Sequence, residues 1–171
     1  MRTEAERFWR EALDLEPANT ALLLVLGDSS VGANELDQAE RYLVQLRSIE
    51  GEGGPNGNYL EALILSRPFP LEQVARDKLE ADKLETLGRI RDLLTETVRK
   101  RPSWIDGRRL AGLVAWRLGK EDEAFQHLNR ALDLGDRSSV PQLIVCEYLY
   151  ERNRDEDLLD LVTQLERFTQ T

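Results

Sequence analysis

One cysteine, one histidine and one methionine stand in 171 residues, and aromatic residues make up only 6%. A single cysteine excludes an internal disulfide framework. Cys146 and His127 alone cannot form a histidine–cysteine cluster with metal-ligand spacing. No apolar run reaches membrane-spanning length, and residues 1–16 carry too many charges for a signal peptide. These features leave the compartment unknown, with the cytoplasm as the default, and no membrane partner is expected. Basic residues are outnumbered, 23 against 32 acidic, for a net charge of −9. That balance argues against nucleic acid, whose phosphates demand clustered Lys and Arg. β-Branched and aromatic residues are few, and no alternating strand pattern stands out. The most glycine-rich run, residues 50–58, follows no strand and lacks the spacing of a phosphate-binding loop. No nucleophile or base has a recognisable orienting partner. The chain is thus read as no enzyme, with no cofactor and no metal.

What the sequence has is helical periodicity that repeats. Residues 104–135 show small residues, Gly112, Gly119, Ala124 and Ala131, interleaved with apolar ones at helical spacing. This predicts helix, short turn, helix, with the small residues where two helices approach closely. Thirty-four residues later, the positions of Gly119, Ala124, Leu128 and Ala131 hold Asn153, Leu158, Val162 and Leu165. Eighty-five residues earlier they hold Asn34, Ala39, Leu43 and Leu46; a further 34 back lie Ala5, Trp9 and Ala12. Pro17 precedes Gly27 by ten residues, as Pro102 precedes Gly112. The turn position reads Asn34, Gly119, Asn153, the residue types that best tolerate a left-handed backbone.

With its 34-residue period, Leu26-Gly27, Ala39, Leu43 and Leu46, and Gly112, Ala124, Leu128 and Ala131, the chain resembles the tetratricopeptide-repeat (TPR) family. The resemblance implies an all-α fold, an α–α superhelix of antiparallel helix pairs with about nine helices. It implies one repeat domain over 1–171: a half repeat at 3–17, then units at about 18–50, 57–102, 103–136 and 137–170. The unit at 57–102 carries about 17 extra residues by that period. It also implies a non-enzymatic scaffold that binds a protein or peptide on its concave face. In the family that face comes from the first helices. By register it holds Leu24, Asp28 and Val31, then Arg109, Leu113, Trp116 and Arg117, then Leu143, Glu147, Tyr150 and Glu151. Trp, Tyr and Arg are enriched at binding hot spots, yet Trp116 could equally pack between helices, whereas Tyr150 is read rather as a surface residue. The family's peptide-terminus clamp of Lys and Asn is not matched.

Taken in order, residues 3–15 predict a helix with Phe8, Trp9, Ala12 and Leu13 as its stripe and Thr3 as cap, with Glu6 as its box partner. Helices are expected at 19–31 and 35–48. Residues 50–58 read as a loop, and 59–66 as a short helix with Ala62 near the glycine position. A stripe from Leu71 through Val74, Leu79, Leu84 and Ile90 to Val98 suggests that the extra residues lengthen the next helix at its start, or else form two helices broken near 82. Glu72/Arg76 and Glu85/Arg89 are spaced as i,i+4 pairs. The last pair of helices falls at 138–151, with Ser138 or Ser139 as cap, and at 155–168. Arg99, Lys100, Arg101, Arg108 and Arg109 form the one basic stretch. It could favour the helix C-terminus or attract an acidic partner.

Both ends carry apolar side chains: Phe8, Trp9 and Leu13 at one, and Leu158, Leu161, Val162, Leu165 and Phe168 at the other. Repeat arrays normally finish in a polar cap. The chain is therefore expected either to belong to a longer repeat protein or to self-associate through its terminal helices. The alternative function is a purely structural segment of a longer repeat array, or a self-associating module; an enzyme whose site is invisible in the sequence ranks last.

Overall fold

The computed structural model describes residues 2–74 and 80–169, the backbone alone for residues 2, 3 and 164–169. Among them are nine helices and no strand: α1 (Arg2–Leu15), α2 (Thr20–Gly32), α3 (Leu36–Glu50), α4 (Pro55–Ser66), α5 (Ala81–Lys100), α6 (Ile105–Arg117), α7 (Glu121–Asp133), α8 (Ser139–Glu151) and α9 (Asp155–Thr169). The all-α superhelical architecture expected from the repeat is the one observed. Helix α2 packs on α3, α4 on α5, α6 on α7 and α8 on α9, and the first helices α2 and α4 also meet, as do α6 and α8.

The turns inside the pairs follow from backbone sterics. Asn34, Gly119 and Asn153 adopt φ of 64°, 71° and 52°, the left-handed region that costs most L-residues about 1–2 kcal/mol. At Asn34, the Arg67 guanidinium also donates to the side-chain oxygen at 3.1 Å. Asn34→Ala is therefore expected to destabilise by about 1 kcal/mol, while Asn34→Gly stays near wild type. Urea midpoints for the two variants in the reverse order would contradict this account.

Two apolar clusters fill the stack. The smaller gathers Leu23, Leu26, Val31, Ala39, Tyr42, Leu46 and Leu60, with Trp9 and Leu13 packed against it. The larger runs from Tyr59 and Ala62 through α5, α6 and α7 to Val145, Leu149 and Leu161. Leu24 and Leu63 touch both. Ala5 and Ala12 of the N-terminal half repeat lie half-buried on α1, while Phe8, expected in its stripe, is 58% exposed. Glu6 accepts from Ser29 across to α2; the side chain of its expected capping partner Thr3 lies outside the described residues. At the other end Leu161 is buried and Leu158 packs on the larger cluster, whereas Leu159 is exposed. The side chains of Leu165 and Phe168 lie outside the described residues.

The unit at 57–102 departs from expectation in two ways. The glycine-rich loop is shorter than its composition suggests, because Pro55-Asn56-Gly57-Asn58 already forms the first turn of α4. Proline suits that position, where a helix has no use for its N–H. The Glu50 carboxylate accepts from the backbone N–H of Asn56 and Gly57 and from Asn56 Nδ2, satisfying donors that a helix start leaves open. Second, α5 does run longer than its counterparts, 20 residues against 15 in α3. It begins only at Ala81, however. Leu71 and Val74, in the described part of the chain after α4, lie outside any helix rather than on a helical stripe. Arg76 and Leu79 lie outside the described residues. Arg89, expected to pair with Glu85, instead donates to the buried Glu61, which also accepts from Arg47. One carboxylate thereby ties α3, α4 and α5 together.

Candidate functional site

The functional question turns on the first helices, since their shared face is where the repeat leaves a groove. Counted from the small residue of each unit, three positions recur: three before, one after and four after. In α2 these are Leu24, Asp28 and Val31; in α4, around Ala62, they are Tyr59, Leu63 and Ser66; in α6 they are Arg109, Leu113 and Trp116. Seven of these nine, together with Arg67, Phe69, Leu71, Glu72, Asp106 and Leu110, line one depression of about 370 Å³. A second, of about 510 Å³, adjoins it at the N-terminal ends of the same helices, among Ala21, Leu24, Val25, Asn56, Arg101 and Trp104. Asp28, Tyr59 and Asp106 border both. They form a polar saddle between two hollows, each lined by apolar as well as charged side chains.

Tyr59 is the centre of that saddle. It is 6% exposed, and its ring lies 4.5 Å from that of Trp104, centroid to centroid. The Arg101 guanidinium covers Trp104 from 4.1 Å and donates to Asn56 Oδ1 at 2.7 Å. Burial, then the charges of Asp106 and Asp28, push the Tyr59 phenol well above the ordinary tyrosine range, against the opposing pull of Arg109. The hydroxyl thus stays a neutral donor.

Arg109, one of the expected wall residues, is anchored beside it. Its guanidinium donates to Asp106 Oδ1 at 2.5 Å and to Asp136 Oδ1 and Ser138 Oγ, both at 3.4 Å. Burial alone would lower its pKa, but Asp106 and Asp136 outweigh that and hold it above the ordinary arginine value. Asp136 is buried in the turn before α8. Burial would raise its pKa, yet the Ser138 hydroxyl and N–H and the Arg109 guanidinium together hold the carboxyl below the usual aspartate range. A depressed folded-state pKa gives stability that is fully present above the unfolded value, 3.8, and is lost as pH falls through the folded one. The melting temperature of wild type should therefore drop more steeply below pH 4 than that of Asp136→Asn; parallel curves would refute the assignment.

Not every expected wall residue reaches the groove. Trp116 is 1% exposed, and its Nε1 donates to the Val74 carbonyl at 2.8 Å. Trp116 is therefore a packing residue, because the connection after α4 crosses in front of α6 and covers it. Arg117 is buried likewise. Glu147 is half-buried and Tyr150 is 71% exposed on α8; neither borders the two hollows. Gly27, Ala39, Gly112, Ala124, Leu128 and Ala131 are buried, Gly119 stands in a turn, and Leu43 is half-buried against the smaller cluster.

Within the basic stretch, Arg99 pairs with Glu96, Lys100 reaches the Gly53 carbonyl and Arg108 donates to the Pro102 carbonyl, while Arg101 and Arg109 line the hollows. His127 is half-buried, its pKa lowered by burial and by Arg108. Burial raises the pKa of the Cys146 thiol, which packs against the larger cluster. Among the described residues no group of three His, Cys, Asp or Glu is arranged to hold a metal ion, and no helix is long and apolar enough to cross a membrane.

Sequence reasoning missed Tyr59, Asp106, Arg67 and Phe69. The signal for Tyr59 was present, since it stands three before Ala62 as Arg109 stands three before Gly112. For Arg67 and Phe69, which come from the insertion, the register carries no signal.

No family model matches the sequence, and no curated protein matches it. Solved structures do. A thermophilic TPR protein of Thermus thermophilus superposes with a TM-score of 0.65 at 19% identity, over 96% of this chain and 81% of that one. MamA (41-end) from Desulfovibrio magneticus RS-1 gives 0.58 at 14% identity, over 99% and 88%. The ArsTM double mutant of RS-1 MamA gives 0.59 at 15%, over 98% and 86%. With the left-handed turns at one register and the paired helices, these likenesses establish the fold: the chain is an α–α superhelix of tetratricopeptide-repeat type.

Proposed function

We propose that this chain is a non-enzymatic scaffold whose α2–α4–α6 groove binds an extended segment of a partner protein. One observation carries the reading: two hollows, each with apolar side chains in its lining, meet at a saddle formed by the buried Tyr59 with Asp28 and Asp106. Such a shape suits a peptide that places one apolar side chain on each side and offers a main-chain carbonyl to the Tyr59 hydroxyl between them. A few placed polar groups in an apolar cleft fix orientation, and extended ligands gain from main-chain hydrogen bonds. The same reading treats residues 1–171 as one repeat domain, in which the insertion of the 57–102 unit supplies Arg67, Phe69 and Leu71 as an extra rim. Nothing in the groove pairs a nucleophile with a base among the described residues, which favours binding over catalysis.

The test is a selection from a random dodecapeptide display library on the wild-type protein. Asp28 is exposed at the saddle, whereas Val44 lies on α3 away from both hollows. Selected peptides should lose at least tenfold in affinity for Asp28→Arg and keep it for Val44→Glu. Equal binding to wild type and Asp28→Arg would remove the groove from consideration.

A further inference from the structure

Helix α8 docks on α7 through a small set of contacts. The Tyr148 ring stacks on Phe125, with centroids 4.2 Å apart and planes inclined by 11°. Its hydroxyl donates to Asp122 Oδ1 at 2.8 Å. Four residues on, the Arg152 guanidinium covers the Tyr148 ring from 3.8 Å and donates to Glu121 Oε2 at 3.0 Å. The start of α7 thus offers a platform of two carboxylates and one large apolar ring. What sits on it is an aromatic residue followed four places later by arginine.

The repeat register carries the same platform one unit forward. Thirty-four residues on, the positions of Glu121, Asp122 and Phe125 hold Asp155, Glu156 and Leu159, again at the start of the second helix of a pair. Here the platform is open: Asp155 and Glu156 are exposed and Leu159 is 66% exposed. Val162, one turn along α9, is exposed as well. On α8, Leu143 stands where Arg109 stands on α6. Arg109 reaches forward to Asp136 and Ser138 of the next unit, whereas Leu143 is 56% exposed. The neighbouring cations are engaged elsewhere, Arg152 on α7 and Arg154 with Asp157. The α8–α9 pair therefore presents, unfilled among the described residues, the surface that α6 and α7 use to hold α8.

We propose that this surface docks a helix of a partner protein that carries an aromatic residue and an arginine four places later. The ring would lie on Leu159 as Tyr148 lies on Phe125, and the guanidinium would pair with Asp155 and Glu156 as Arg152 pairs with Glu121 and Asp122. The helix would run parallel to α8, with an apolar residue near its start against Leu143. Charge favours a partner over a second copy. Two chains of net charge −9 repel, while an arginine brought by a partner meets the two acids in charge-assisted bonds.

The experiment is a fluorescence-anisotropy titration of the whole chain into a labelled, hydrocarbon-stapled peptide. The peptide has leucine, tyrosine and arginine at the spacing of Val145, Tyr148 and Arg152; the staple is needed because a helix of about fifteen residues is marginal in water. Binding should saturate, and replacing the arginine by neutral citrulline should weaken it at least fivefold. Leu159→Glu should weaken it at least tenfold, with Val44→Glu, on α3, unchanged. Glu156→Lys should reverse the preference, binding a peptide with glutamate in place of arginine more tightly than the original. Because Glu156 and Leu159 are exposed, these variants should keep the wild-type far-ultraviolet dichroism. Binding that never saturates, equal affinity for the citrulline peptide, or the same affinity in Leu159→Glu would overturn the proposal. So would a dimer, seen by sedimentation without peptide, that Leu159→Glu abolishes, since the occupant would then be a second copy. None of these residues borders the two hollows of the groove, so Asp28→Arg should leave the binding intact and the two results stay separate.

Discussion

Trp116→Ala should lower stability by about 3–5 kcal/mol, the range for truncating a fully buried tryptophan. Trp116 is among the largest fully buried side chains. Its ring packs in the larger cluster while its Nε1 holds the Val74 carbonyl. Truncation therefore opens a cavity beside α6 and releases the connection that runs in front of it. Trp116→Phe separates the two effects: it keeps most of the apolar volume and leaves the Val74 carbonyl without its donor, a loss of about 1 kcal/mol for the bond itself. Urea denaturation gives both values. A Trp116→Ala cost below about 1 kcal/mol, the size of an ordinary surface or single-bond effect, would mean that the tryptophan is not buried by the insertion.

Gly112→Leu should be nearly as severe, about 3 kcal/mol, at the upper end of overpacking costs. A Cβ at Gly112 would fall inside van der Waals contact with Leu128 Cδ2 and Cγ and 3.2 Å from the Leu128 backbone nitrogen. Side-chain rotation cannot clear a backbone atom, so α6 and α7 must move apart. Gly27 provides the contrast. There the three atoms nearest to a Cβ all belong to the Leu60 side chain, Cδ2 at 2.5 Å and Cδ1 at 3.0 Å first, and a leucine tip can turn away. Gly27→Ala also gains about 1 kcal/mol of helix propensity. It should come out near neutral, while Gly112→Ala is clearly destabilised. Thermal melts of the two alanine variants that coincide would remove the distinction between backbone and side-chain contact.

The contrast between these glycines shows what the sequence could and could not tell. Both stand ten residues after a proline, and the register treats them as equivalent. The structure sets one against the helix of its own pair and the other against the first helix of the next unit. Periodicity reports which face of a helix is apolar; it does not report which neighbour covers that face. For the same reason Asn34, Gly119 and Asn153 were readable as left-handed turns, since local sterics decide that conformation. Trp116 was not readable as buried, because what buries it is Val74, 42 residues away in a stretch with no repeat. The start of α4 at Pro55 ran against composition: four glycines between 51 and 57 argue for loop, and the Glu50 carboxylate reverses that by supplying the cap. Tyr59 was legible by counting back from Ala62. Its insertion neighbours Arg67 and Phe69 were not, since no second copy of the insertion exists to compare.

Helix α4 belongs to two cores. Leu60 completes the smaller cluster, while Tyr59 and Ala62, close to it in the chain, begin the larger. During synthesis the smaller core needs nothing beyond α4, so it can close while α5 to α9 are still being made. The larger core cannot close then, because its centre, Leu87 to Trp116, is still missing. Once α4 is held by the first core, its opposite side is a finished surface on which α5 and α6 can dock, pair by pair. Chains of short-range contacts fold quickly and expose little for long. An acidic protein without disulfides, built this way, would acquire its structure in the order in which it is translated.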